Sequence, residues 1–171
     1  MDFFLRMTHS PRAIYGVIFL SCVALLGMGY YMEYAKGLIP CPLCMAQRLF
    51  YMGLGVVALL GVLHGSRGIL NRINAFFALL FAVGGATIAG RQVWLQHLPA
   101  DQVPSCGADF DFIVSHFPLL KAIETLWQGS GDCAEVQWQF LGLSIAGWSL
   151  VWFVFFTVIA LYLLIRRFPA Q

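Results

Sequence analysis

The sequence predicts an all-α membrane protein, a bundle of four transmembrane helices with a long loop that carries a short interfacial helix. Of its 171 residues, 60% are hydrophobic and 11% are charged, and the mean hydropathy is +0.80. A soluble domain has about a quarter of its residues charged. The hydrophobic residues form unbroken runs instead of the alternating ~10-residue segments of a transmembrane β-barrel. The net charge of +2 leaves no basic excess for a nucleic-acid partner.

Four charge-free runs predict the four helices. The first has 20 uncharged residues between Arg12 and Glu33, enough helix to cross a hydrocarbon core of ~30 Å at ~1.5 Å per residue. The next two runs have 18 uncharged residues each, and the last has 30. The first run is interpreted as a retained anchor, because it is long for a signal peptide and ends without a small-x-small cleavage site. The predicted spans of this single domain, 1–171, are about 13–32, 46–64, 72–90 and 143–165.

The charged residues between the spans predict the orientation. Four crossings put both termini on one side, and six of the ten basic residues fall on that side: Arg6, Arg12, Arg67, Arg72, Arg166 and Arg167. Basic residues concentrate on the cytoplasmic side of a membrane protein. Both termini are therefore predicted to be cytoplasmic. The loops at about 33–45 and 91–142, which hold most of the acidic residues, are predicted to face the periplasm.

The long second loop is predicted to contain a helix at the membrane surface. Leu119, Leu120, Ile123 and Trp127 recur at helical spacing, and polar residues occupy another face. An amphipathic helix of this kind lies in the headgroup plane with its apolar face toward the acyl chains.

Four of the five cysteines fall on the predicted periplasmic side, where disulfides persist. Two pairs are the natural interpretation. Cys41 and Cys44 close a very small ring, and such short links are strained and readily reduced. Cys44 precedes or begins the second helix and Arg48 follows one turn later, so both the helix dipole and the cation favour the Cys44 thiolate. The second pair, Cys106 with Cys133, is compatible with either a reactive or a structural bridge.

A metal site or a haem link is a weaker interpretation of the cysteines. A zinc site needs a second pair of ligands at short spacing, and 26 residues separate Cys106 from Cys133. A c-type haem link requires His after the motif, where this chain has Met45. Cys22 lies in the middle of the first span and is interpreted as a core residue.

Three stretches of sequence resemble the DsbB family of bacterial inner-membrane proteins. They are Pro40-Cys41-Pro42-Leu43-Cys44 followed by Arg48, then Gly90-Arg91-Gln92-Val93-Trp94-Leu95-Gln96-His97, and then Ser130-Gly131-Asp132-Cys133-Ala134-Glu135 leading into Gln137-Trp138. The resemblance covers essentially the whole chain and agrees with the four-helix topology.

The resemblance implies a quinone-dependent protein-dithiol oxidoreductase that reoxidises a DsbA-like periplasmic partner of thioredoxin fold. The partner would attack Cys106, the released Cys133 would attack Cys41, and Cys44 would leave as a thiolate. The electrons would then pass to membrane quinone, either ubiquinone or menaquinone. Arg48 and His97 are the implied quinone-binding residues, and no metal is implied.

The residues also support roles and alternatives that the resemblance does not decide. Arg48 near the membrane boundary needs a partner, for which a thiolate and a quinone carbonyl are the expected candidates. Gln47 and Gln92, polar residues near the same boundary, are candidates for a supporting role. The competing hypothesis is a non-catalytic membrane protein whose disulfides only hold its loops together, and a weaker one is an electron carrier facing the opposite way.

Overall fold

The computed structural model describes residues 10–65, 68–99, 101–103 and 110–166. Cys106 lies outside the described residues. The helices and strands are, in chain order, α1 (Pro11–Lys36), α2 (Pro42–His64), α3 (Gly68–Leu95), α4 (Phe110–His116), α5 (Leu119–Gln128), α6 (Gly131–Ala134), β1 (Gln139–Phe140), β2 (Leu143–Ser144) and α7 (Ile145–Ile165). In this part of the chain four helices, α1, α2, α3 and α7, are long and apolar enough to cross a membrane. The predicted four-helix membrane fold is confirmed.

Prolines and glycines fix where the first two long helices begin and end. Pro11 and Pro42 occupy the first helical position of α1 and α2, where the missing N–H has no intrahelical partner to lose. Gly37 and Gly65 follow the two helices in the left-handed conformation, with φ of 67° and 58°. Glycine adopts this helix-ending conformation without steric cost.

All four long helices contribute to the core of the bundle, in which an aromatic cluster joins α2 to α7. The ring of Tyr51 stacks on that of Phe153 with centroids 4.1 Å apart, and Phe156 meets Tyr51 edge-on. The Tyr51 hydroxyl lies 2.9 Å from Ser149 Oγ, so its polar end is satisfied. Cys22 of α1 is 1% exposed and packs in the same core, which confirms its interpretation as a packing residue.

Small side chains allow α3 to lie close to its neighbours. A Cβ added at Gly85 would overlap the Phe153 ring, and one added at Gly84 would overlap the ring of Phe50. Close approach at small residues replaces the hydrophobic driving force that helices lack in lipid. The buried small residues of this helix are Ala75, Ala78, Ala82, Gly85 and Ala89.

The segment between α3 and α7 carries short elements. The predicted surface helix is present as α5, and its Leu120 and Trp127 side chains are exposed. The strands β1 and β2 pair antiparallel through a two-residue turn, Leu141-Gly142, with both residues at positive φ. Two central residues of positive φ are typical of a tight hairpin turn. The hairpin was not predicted, and it leads directly into α7.

Candidate functional site

Three of the four predicted reactive cysteines meet at one end of the bundle. Cys41 immediately precedes α2, Cys44 lies in its first turn, and Cys133 lies on α6. Cys41 Sγ and Cys44 Sγ are 3.0 Å apart, and Cys41 also hydrogen-bonds to Cys133. All three are free thiols in this structure. Cys41 therefore contacts both of the other cysteines.

The start of α2 positions the first two sulfurs. Cys41 is the N-cap residue, and its sulfur accepts a hydrogen bond from the backbone N–H of Cys44 at 3.4 Å. A side-chain acceptor at this position satisfies one of the unpaired N–H groups of the first turn. Pro42 at the first helical position starts the helix directly after Cys41. The Cys-Pro-Leu-Cys motif thus forms the helix terminus itself.

Cys133 is held against this terminus by its own short helix. Its backbone N–H donates to Ser130 O at 2.9 Å, and its sulfur lies 3.6 Å from Ser130 Oγ. The side chain is fully buried and packs with Leu43 and Leu95. Gly129, at φ 75° and ψ 177°, turns the chain from α5 into this segment. That backbone conformation is essentially restricted to glycine.

The hydrogen bonds among the sulfurs shift the pKa values of Cys41 and Cys133 in opposite directions. Hydrogen bonds to Cys133 and Cys44, together with burial, raise the pKa of Cys41 above its ordinary range. The hydrogen bond from Cys41 lowers the pKa of Cys133 to about 6, against the opposing effect of burial, and the backbone N–H of Leu43 adds to the lowering. A thiolate is the nucleophile in disulfide exchange. In the reduced protein the lowered pKa favours the thiolate of Cys133, which packs in one cluster with Cys41.

Two buried glutamines lie beside the sulfurs, and one of them, Gln92 of α3, contacts the sulfurs directly. Gln92 Nε2 lies 3.2 Å from Cys41 Sγ and 3.2 Å from Cys44 Sγ. Gln47 Nε2 of α2 donates to Gln92 Oε1 at 2.7 Å. The exposed fractions of Gln47 and Gln92 are 4% and 3%. The sequence identified both glutamines only as candidates for a supporting role, because their contacts depend on how α2 packs against α3.

Arg48 has a different partner from the one expected. Its Nη1 lies 2.5 Å from Glu33 Oε2, its Nη2 donates to Gly29 O at 3.2 Å, and its guanidinium lies 4.7 Å from the centre of the Tyr30 ring. The expectation that a cysteine thiolate is its partner is therefore corrected, since the carboxylate of Glu33 fills this role and Gln92 contacts the Cys44 sulfur. A partly buried cation is stabilised by such a pair. Sequence reasoning missed Glu33, although an acid at the end of the first span is a reasonable partner for a boundary arginine.

A cavity of about 450 Å³ lies beside Cys44. This volume is in the range of pockets that hold small organic molecules, roughly 300–1,000 Å³. Apolar side chains of α1 and aromatic side chains of the hairpin region form most of its wall, Gln92 lies in the wall, and Arg48 contributes hydrogen-bond donors. A flat ring with two carbonyl oxygens, such as a quinone, fits both the apolar wall and the donors. The aromatic residues of the wall are Tyr51, Trp138, Phe140 and Trp148.

His97 does not line this cavity. It follows the end of α3, is exposed, and its Nδ1 lies 2.7 Å from Val93 O. Because a carbonyl only accepts, Nδ1 carries the proton of this hydrogen bond and Nε2 faces outward for another partner. The structure thus places Cys41, Cys44 and Arg48 at the wall of one cavity and packs Cys133 with Cys41, whereas His97 is not part of that wall.

The arrangement of three sulfurs, an amide donor and a cavity is suited to thiol-disulfide exchange. A thiolate at Cys133 can attack Cys41, and the electron pair of a Cys41–Cys44 bond would then move to Cys44 at the cavity wall. A purely structural bridge would require neither a third sulfur in contact nor an adjacent cavity.

Comparisons with known proteins agree with this chemistry. The family model described as "Disulfide bond formation protein DsbB" matches residues 11–163. A Marinobacter nauticus protein named "Disulfide bond formation protein B" is 48% identical over 162 residues, which cover 95% of this chain and 96% of the relative. Proteins of the same name from Hahella chejuensis and Stutzerimonas stutzeri are 45% and 40% identical and cover 91% and 92% of this chain, and 94% and 97% of the relatives.

Proposed function

This chain belongs to the DsbB family, and from that premise we propose that it oxidises the dithiol of a DsbA-like periplasmic protein and passes the electrons through two cysteine pairs to membrane quinone. The family membership makes it a multi-pass protein of the inner membrane and a disulfide-forming oxidoreductase. The proposal concerns the dithiol partner, the path of the electrons through the cysteine pairs and the quinone that accepts them. In the proposed orientation both termini are cytoplasmic and the cysteine loops face the periplasm.

The first step is exchange with the partner. A thiolate of the reduced partner attacks Cys106 of a Cys106–Cys133 disulfide, a mixed disulfide forms, and Cys133 is released. The second thiol of the partner then attacks the mixed disulfide, so the partner leaves with its own disulfide and Cys106 becomes a thiol. One disulfide is gained by the partner and one is lost by the long loop.

The second step moves the reducing equivalents to the helix terminus. Cys133 attacks Cys41, a Cys41–Cys133 disulfide forms, and Cys44 departs as a thiolate. The observation that carries this step is the position of Cys41, whose sulfur is 3.0 Å from that of Cys44 and which packs in one cluster with Cys133. Attack of Cys106 on the Cys41–Cys133 bond restores the loop disulfide and leaves Cys41 and Cys44 as a dithiol.

The quinone supplies a two-electron acceptor when bound, which matches the two electrons that a dithiol releases. Arg48 would hold it through an oxygen, and the aromatic wall of the cavity would hold its ring. Glu33 keeps the Arg48 guanidinium at the cavity wall. His97, which the resemblance implies as a quinone-binding residue, is assigned a secondary role because its Nδ1 is bonded to Val93 O and the residue does not line the cavity.

Trapping the disulfide between the two loops tests the proposal. Oxidised full-length protein is mixed with a reduced DsbA-like protein without quinone, quenched in acid and analysed by peptide mass spectrometry. We expect a Cys41–Cys133 disulfide in the wild-type protein and its absence in Cys41→Ser. Oxidation of the partner without any Cys41–Cys133 bond would contradict the proposed route. Inert disulfides would instead support bridges with a structural role.

A further inference from the structure

The buried carboxamide of Gln92 has a position that the proposed relay does not explain. Its Nε2 reaches both sulfurs of the Cys41–Cys44 pair at 3.2 Å, and the side chain is 3% exposed. A thiol sulfur is a weak acceptor, so a buried amide donor facing two thiols is poorly satisfied. A thiolate is a strong acceptor, and hydrogen bonds to ionised groups are roughly twice as strong as those between neutral groups.

Gln47 determines which end of the Gln92 amide faces the sulfurs. Gln47 Nε2 donates to Gln92 Oε1 at 2.7 Å, which directs Gln92 Nε2 toward Cys44. A contact from Cys44 Sγ to Gln92 Oε1 is longer, at 3.6 Å. Gln47 lies three residues after Cys44, and residues at this spacing share one face of a helix. The pair of glutamines is therefore a donor with a fixed orientation.

Arg48, the nearby cation, does not donate to the Cys44 sulfur. Arg48 is held by Glu33 and by Gly29 O on the side of α1. Within the described part of the chain, the side-chain donors to the Cys44 sulfur are the Cys41 thiol and the Gln92 amide. Once Cys41 enters a disulfide its thiol proton is lost, and the Gln92 amide remains as a side-chain donor beside Cys44.

We propose that Gln92 is a further catalytic residue, whose amide N–H stabilises the Cys44 thiolate as it leaves Cys41, and that Gln47 is the positioning residue that orients this amide. The inference rests on the proposed function, because it names the group that receives the charge released when Cys133 attacks Cys41. In that step the Cys41–Cys44 bond breaks, its electron pair moves to Cys44, and the new charge develops next to Gln92 Nε2. A donor fixed in place before the charge appears stabilises it without reorganisation.

The test measures the reactivity of Cys44 without quinone and without a dithiol partner. Reduced full-length protein in detergent micelles is treated with iodoacetamide at pH 7, and the alkylation of Cys44 is followed by peptide mass spectrometry. In Gln92→Met, which keeps the size but lacks the donor, we expect the rate to fall about three- to tenfold. The smaller thiolate fraction is partly offset by the higher nucleophilicity of the more basic sulfur.

Three further variants make the result specific. Gln92→Leu also removes the donor and adds no charge, so it is expected to slow alkylation as well and covers the case in which Gln92→Met does not fold. Gln47→Leu is expected to give a smaller decrease, because Gln92 remains but loses its orientation. Gln96→Met is the matched control: Gln96 lies one turn further along the chain and accepts from Ser144 Oγ at 2.7 Å, so Cys44 alkylation should change less than about twofold.

The outcomes separate this inference from the proposed function. Unchanged or faster alkylation in both folded Gln92 variants would overturn the role of Gln92, whatever the protein does with quinone. Slower alkylation in those variants supports it, even if the wild-type protein fails to oxidise a dithiol partner. If alkylation is slower in those variants but the wild-type protein does not oxidise a dithiol partner, the proposed relay is wrong and the role of Gln92 stands.

Discussion

Replacing Gly129 with alanine is expected to release Cys133 from its position against Cys41. Gly129 has φ 75° and ψ 177°, a conformation that costs a residue with a side chain on the order of 1–3 kcal/mol. The added Cβ would also lie 2.5 Å from Leu95 Cδ1, closer than real side chains approach. Because Gly129 immediately precedes the segment that carries Cys133, we expect this segment to move, whereas the helix bundle stays intact.

The expected size of the effect follows from the strain. A cost of about 1–3 kcal/mol shifts the local opening equilibrium by about 5- to 150-fold, since about 1.4 kcal/mol is a factor of ten. Cys133 is 0% exposed, so an alkylating reagent reaches it only when the segment opens. The alkylation rate of Cys133 in the reduced protein, measured by peptide mass spectrometry, should rise by the same factor.

Gly68→Ala is the control for this experiment. Gly68 has φ 61° with nothing within 4 Å of an added Cβ, so the substitution introduces a similar backbone strain at the opposite end of α3. Cys133 alkylation in Gly68→Ala should match the wild-type rate. An unchanged rate in Gly129→Ala would refute the reasoning, because Gly129 would then not hold Cys133 in place.

Three further predictions test different parts of the structure. Arg91 donates to Trp127 O at 2.9 Å, so Arg91→Met should raise protease cleavage after α5 several-fold, and an unchanged cleavage pattern would argue against this anchor. The low pKa of Cys133, about 6, predicts that its thiolate absorbance at 240 nm rises through pH 6 in the reduced protein. The thiolate therefore stabilises the reduced fold fully above the unfolded pKa of ~8.5, and this contribution is lost as the pH falls through 6. Cys41→Ala should move the midpoint of the absorbance titration upward. A midpoint near 8.5 in both proteins would contradict the hydrogen bond from Cys41 to Cys133. Phe153→Ala should destabilise the bundle by about 3–5 kcal/mol, measured by denaturation in detergent, and a loss below about 1 kcal/mol would show that the aromatic core is not tightly packed.

The long helices were predictable from the sequence because a helix segment in hydrocarbon must lack charged side chains over its whole length. Charge-free runs mark the part of a helix that lies in hydrocarbon, and the four runs correspond to four helices. Their ends were not predictable from charge. The third helix extends from Gly68 to Leu95, past Arg72 and Arg91, because a charged side chain limits burial in lipid and does not interrupt backbone hydrogen bonds.

The candidate cysteines of the site were predictable from the sequence, whereas the side chains that contact them and Arg48 were not. The Cys-x-x-Cys spacing identified Cys41 and Cys44 as a local feature of one helix terminus. The contacts of Gln92 with Cys44 and of Glu33 with Arg48 join different helices, so they depend on packing that no local pattern encodes. The hairpin before α7 has strands of two residues each, too short for an alternating pattern to reveal.

The most direct test of the central claim is anaerobic quinone reduction by the purified full-length protein. A reduced DsbA-like protein is added to the protein with either ubiquinone or menaquinone, and the quinone absorbance is followed with time. The proposed relay predicts one quinone reduced per dithiol oxidised, and loss of turnover in both Cys44→Ser and Cys106→Ser. If the wild-type protein reduces neither quinone while its disulfides stay intact, the relay is wrong and the disulfides have a structural role.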